Sequence, residues 1–142
     1  MYTFLRWSMA CLALVCLAIG QGCEPRPRSE ELQWVPVQIT DLSTVAGKWD
    51  GLMRRIPPDP RANDWVTVTI ASDGRYQFAS LRTIGVFSGH GEFVVNEGKL
   101  KASSERGTIE AALYEAGAQR MLKANGRTAD GTEYTAEVKP AK

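Results

Sequence analysis

The chain has 142 residues, with 17 basic and 16 acidic side chains and a net charge of +1. That is enough material for one domain, and the near-balance excludes both a basic field for nucleic acid and a single-sign interaction tail. All three cysteines, Cys11, Cys16 and Cys23, fall in the first 23 residues. The folded part therefore has neither a disulfide nor a cysteine metal site and rests on its core alone.

Residues 1–22, MYTFLRWSMACLALVCLAIGQG, carry one charge, Arg6. An apolar stretch too short to span a bilayer comfortably follows, then small residues, the three-part form of a secretory signal. Cys23 comes next. The arrangement resembles a bacterial lipoprotein signal, in which the cysteine is lipidated and cleavage leaves it first in the chain. Gly22 fits that pattern; Gly20 and Gln21 depart from its usual leucine and small-aliphatic positions. The resemblance implies a lipidated Cys23, with acyl chains (palmitate-type) that anchor more firmly together than one chain does. It also implies a periplasm-facing place in the cell envelope. The absence of Asp after Cys23 leans toward the outer membrane. An ordinary secretory signal ending near a cysteine is the alternative.

Residues 23–40 read as a tether. EPRPRSEELQ (24–33) is charged, holds two prolines and lacks an apolar period. In WVPVQI (34–39), Val35, Val37 and Ile39 alternate, and Pro36 confines the segment to a sheet edge or to a non-sheet position. It is expected to lie against the domain, with Trp34 covering the end of the core; a surface anchor for a partner is the alternative role of that residue. In DLSTVAGKW (41–49), Asp41 caps one turn formed by Leu42–Val45, and Gly47 releases the chain into a strand.

From there the pattern has period two throughout. Strands are expected at 47–54, 65–70, 74–82, 86–95 (interrupted by SGHG, 88–91), 99–104, 108–115, 119–127 and 132–139. ASDG, NEG and TADG are hairpin turns, whereas the prolines of IPPDPRAND (56–64) exclude a regular ladder there. An open eight-strand sheet would expose an apolar face and two edges, so closure is expected. The fold class is all-β: a single up-and-down antiparallel barrel of about eight short strands over 41–139, behind a signal peptide and a short tether. An unrelated barrel or a two-sheet sandwich is the structural alternative.

The helical turn, Gly47-Lys48-Trp49 and the strand count resemble the lipocalin-like (calycin) barrels, and small lipocalin-like bacterial lipoproteins among them. The resemblance covers about 41–139. It departs from true lipocalins in lacking a clear Thr-Asp-Tyr turn motif and a C-terminal helix. It implies that Trp49 plugs the closed end, that an arginine packs over that ring, with Arg120 and Arg127 as the candidates, and that the long first loop, Ile56–Asp64, forms a lid at the open end. The residues by themselves read Arg120 and Arg127 rather as surface salt-bridge partners.

The expected inward set is Trp49, Met53, Val66, Val68, Ile70, Tyr76, Phe78, Phe93, Val95, Leu100, Ile109, Leu113, Leu122, Tyr134 and Val138. Such large side chains in a short barrel favour a filled core. Against that stand the small residues of the later strands. Ala102, Ala111, Ala124 and Ala136, with Ser104, frame a cleft near one mouth if one exists, and Trp49 joins them as a ligand-binding candidate. Alternation points Trp65 outward beside the proline-rich loop, as a partner anchor or a residue covered by that loop. His90 sits alone between two glycines, read as a turn residue. No phosphate loop, serine elbow or zinc spacing occurs.

The reading is a membrane-anchored, non-enzymatic binding or interaction module, expected to be monomeric, with no cofactor or metal and no nucleic-acid partner. The first alternative is a carrier of a small apolar ligand. The second is an inhibitor of an envelope enzyme, which makes an envelope protein the partner.

Overall fold

The structure is a computed structural model, and it describes residues 32–57, 63–81 and 86–142. The segments expected to be an export signal and the first part of a tether, with Cys23 between them, lie outside the described residues. Leu32–Lys142 form one compact unit.

The domain opens with a three-residue strand, β1 (Val35–Val37), and a single 3-10 turn, Leu42–Val45. Asp41 caps that turn, its carboxylate accepting from the Ser43 N–H at 2.6 Å, which satisfies a donor the turn itself leaves free. Then follow β2 (Gly47–Ile56), β3 (Asn63–Ile70), β4 (Arg75–Leu81), β5 (Val86–Glu92), β6 (Val94–Asn96), β7 (Lys99–Ser104), β8 (Gly107–Ala116), β9 (Gln119–Thr128) and β10 (Glu133–Pro140). Short hairpins join most of them. At the β6–β7 turn, Glu97 and Gly98 both take positive φ, 52° and 75°, the twist that matches flanking strands.

All pairing is antiparallel, in the order β5-β4-β3-β2-β10-β9-β8-β7-β6, with β1 laid on β8 opposite 113–115. Pro36 thus occupies an edge position, as a residue without an N–H must. First and last meander strands meet over eight residue pairs, from Glu133↔Ile56 to Pro140↔Trp49. The two ends of the order, β5 and β6, are halves of one strand bent at Phe93, whose N–H donates to Gly74 O at 2.9 Å. β5 keeps to β4 and β6 keeps to β7. The result is a nearly closed barrel, an eight-strand meander with a gap in its wall between β5 and the end of β7.

Two of the expected elements are corrected: Ile56, Asn63 and Asp64, expected in the proline-rich loop, are paired strand residues at the ends of β2 and β3, and the break in the fourth strand falls elsewhere. SGHG does not interrupt it: residues 88–91 are continuous strand on β4, and His90 is a strand residue opposite Gln77. The glycines are there for space. A Cβ on Gly89 would come within 2.4 Å of the Phe78 ring, and one on Gly91 within 2.8 Å of the Tyr76 hydroxyl. Two aromatic side chains of β4 thus occupy the room that β5 leaves empty.

All fifteen expected inward side chains belong to the core or pack on it, together with Ile39 and Val45 from the lead-in segment. Trp34 does not cover the core end. Its ring lies 5.3 Å from the Lys139 ammonium, on the outer face of β10.

Candidate binding cavity

The barrel interior holds a cavity of about 290 Å³. Its origin is a row of alanines set in register across neighbouring strands: Ala111 pairs with Ala124, and Ala124 with Ala136. Leu100 and Met53 flank the row on β7 and β2. Ala102 opens the next layer toward the mouth, opposite Ile109, which in turn faces Gly126. A side chain that ends at Cβ leaves the barrel axis open in front of it. All four alanines named from the sequence line this cavity. The interior is therefore less filled than fifteen large side chains suggest.

The facing wall is aromatic. Around the ring β4 lies four strands from β9 in either direction, so its inward residues look across at the alanines. Tyr76 stacks on Phe93 with centroids 4.2 Å apart, and Phe78 meets Phe87 at 5.4 Å. Phe87 also reaches Tyr134 of β10 at 6.0 Å, a contact that crosses the interior on the mouth side. Burial raises the Tyr76 hydroxyl pKa. The charged residues of the lining, Glu92, Arg106 and Arg127, are exposed at the rim.

Trp49 has a different place. It does not line the cavity; it closes the opposite end. Its indole N–H donates to Val45 O at 2.9 Å, so the 3-10 turn and the plug are one unit. The Arg120 guanidinium sits 5.8 Å from the ring centroid and donates to Thr44 O at 2.6 Å, with Glu115 3.3 Å away. Arg127 instead pairs with Glu133 at the mouth. Of the two arginines named from the sequence, Arg120 is the one over the tryptophan.

On the outer face, Trp65 is 53% exposed and stands in a cross-strand row between Leu52 and Leu81, 39% and 69% exposed. Neither flanking leucine was singled out in the sequence. The lid expected from the first loop falls mostly on residues 58–62, outside the described residues. His90 is exposed, and no group of acidic, histidine or cysteine side chains fit to hold a metal occurs among the described residues. Surface ion pairs such as Lys99–Glu110 (2.7 Å) and Lys123–Glu137 (3.2 Å) occupy other carboxylates.

Sequence reasoning missed three features of the interior. Ser80 is fully buried, and its hydroxyl has no hydrogen-bond partner among the described residues; the alternation Tyr76, Phe78, Ser80 already points it inward. Phe87 shares the inward face of β5 with Gly89 and Gly91, so period-two reading finds no apolar partner there. Gly126 carries no side chain to count.

Comparison of the chain with protein-family models, with curated proteins and with solved structures finds no match. What the geometry establishes is a nearly closed, all-β antiparallel barrel, compatible with a calycin-like plan, with an apolar cavity at its centre.

Proposed function

We propose that this is a non-enzymatic binding module of an envelope lipoprotein, and that it carries a small apolar molecule inside the barrel. The observation behind the ligand is the 290 Å³ cavity with its apolar lining; concave, mostly apolar sites of this kind are where small molecules bind. The support for the envelope address is the signal-like segment ending at Cys23. Calycin-type architecture, with a tryptophan-plugged end and an open mouth, suits a carrier.

Native mass spectrometry of the full chain, purified from the cells that make it and compared with its denatured mass, tests the ligand. A discrete non-covalent mass is expected; a bare chain in every preparation overturns the carrier reading. Cys23→Ser tests the anchor: the variant is expected to leave the membrane fraction, and continued retention overturns lipidation at that residue.

A second reading has its own observation. The exposed row Leu52–Trp65–Leu81 is an apolar stripe on three adjacent strands, and tryptophan at the centre of such a patch is a common energetic anchor for a protein partner. Crosslinking through Trp65 to one envelope protein, with an empty cavity, would favour an interaction module, the inhibitor of an envelope enzyme included.

A further inference from the structure

We propose that the cavity takes a flat, uncharged molecule of about two fused rings in preference to a flexible acyl chain. The inference rests on the small-ligand reading above and names the class of that ligand.

Shape comes first. The Ala111–Ala124–Ala136 row rises only one carbon from the sheet, so that wall is smooth over three strands. The wall across from it presents rings, with Tyr76 and Phe93 stacked at 4.2 Å and 29° and Phe78 tilted against Phe87. A space with one smooth side and one aromatic side is a slot. A planar ligand lies against both sides at once and makes ring contacts that favour it beyond its buried area. An acyl chain of the same volume gains no such contacts and loses rotamer freedom on entry.

Size agrees. A cavity of about 150 Å³ lined by apolar side chains accepts benzene. The space here, about 290 Å³, is nearly twice that, which is room for two rings and little more.

Charge is excluded by the lining. The inward side chains that bound the slot are apolar or hydroxylic, and the charged ones, Glu92, Arg106 and Arg127, lie exposed at the rim. An ionised group among the alanines would have no partner and would not leave water. The hydroxyls of Tyr76 and Tyr134, both in the lining, leave room for one polar substituent on the ring system.

The test compares 2-naphthol with decan-1-ol by titration calorimetry on the full chain. The two probes have equal numbers of heavy atoms and one hydroxyl each and differ in shape. Binding of 2-naphthol at least about ten-fold tighter is expected, and Phe78→Leu should narrow that ratio. Ala124→Leu, which fills the slot, should abolish binding of both, with a thermal melt showing that the variant is folded; Ala102→Leu, nearer the mouth, is the second filling variant. Equal or tighter binding of decan-1-ol overturns the ring preference and leaves the small-ligand reading standing. Binding of neither probe overturns both. Undiminished 2-naphthol binding by the two filling variants overturns the placement.

Discussion

Two glycines on strands that flank β10 should respond to alanine with opposite signs. Gly51 lies on β2 opposite Val138 and Val66. A Cβ there would stand 1.9 Å from Glu137 O and 2.7 Å from Val138 Cα. Both atoms are backbone, so neither can swing aside. For the methyl to reach ordinary contact the strands must part by roughly 1 Å or more, which takes a ladder hydrogen bond of normal length out of range. Two such bonds at about 1 kcal/mol each, plus strain at the seam where the first and last strands join, put Gly51→Ala about 2–4 kcal/mol below wild type. Gly126 lies on β9, where a Cβ would meet Thr108 O at 3.7 Å and Ile109 Cγ1 at 3.9 Å. Those are ordinary contacts, so Gly126→Ala only narrows the unfolded ensemble and should stabilise by about 0.4–1 kcal/mol. Urea titration of both variants measures the difference; in a domain of this size each kcal/mol moves Tm by about 4–8 °C. A Gly51→Ala protein within about 0.5 kcal/mol of wild type would show that β2 and β10 are not in this close approach, and the reasoning on barrel closure would fail with it.

Three further outcomes follow from the same geometry. Ser80→Ala removes a fully buried hydroxyl with no hydrogen-bond partner among the described residues, so it should stabilise by about 1 kcal/mol; a loss of that size would mean that the hydroxyl is bonded. Arg120→Met removes the donor to Thr44 O and the cover over Trp49, and should cost about 1–2 kcal/mol, since the side chain is partly solvated, with a red shift of tryptophan emission; an unchanged spectrum and melt would detach this arginine from the plug. For pH, hydrogen bonds from the Ser43 side chain and N–H hold the Asp41 carboxyl below its ordinary value, as the Thr128 hydroxyl does first for Asp130 and Lys99 for Glu110. Each folded-state value lies below the unfolded one, so the stability these groups contribute is present above about pH 4 and lost as pH falls through the lowered values. Urea midpoints should be level from about pH 5 to 7 and fall below pH 4, and Asp41→Asn, which keeps an acceptor but cannot ionise, should fall less steeply; an identical slope would remove Asp41 from that account.

The strands were legible because barrel strands with one solvated face alternate, and because the turns between them carry the glycines that hairpins need. Every inward aromatic and aliphatic side chain expected from 47 onward is in or on the core for that reason. The bend at Phe93 was not legible. A glycine pair reads as a turn until one knows that rings from the neighbouring strand lie over it, and that knowledge requires the β4–β5 register. The four alanines were visible as small residues, but their common height was not. Sequence spacing alone does not say that Ala111, Ala124 and Ala136 pair in one row; the lengths of the β8–β9 and β9–β10 hairpins set that. Trp65 was readable as outward by alternation, whereas its company with Leu52 and Leu81 again depends on cross-strand register.

The alanine row is where stability and binding pull apart. A closed void of 290 Å³ would cost on the order of 7 kcal/mol at about 24 cal/mol per Å³, comparable with the whole stability of many domains. Water entering from the open mouth lowers that figure, yet the space remains one that a single substitution could fill. Ala124→Leu adds three carbons facing the slot. At about 0.8 kcal/mol for each carbon buried, less about 0.5–1 kcal/mol of rotamer entropy, it should stabilise the domain by about 1–2 kcal/mol. The same change should abolish retention of any molecule the slot holds, which is the trade expected where a site is kept open at the expense of the core. Melting and ligand titration on the one variant read both quantities. A rise in Tm with loss of binding makes the emptiness a functional feature; a fall of more than about 1 kcal/mol would mean that the leucine overpacks and that the space in front of the alanines is smaller than the structure draws it.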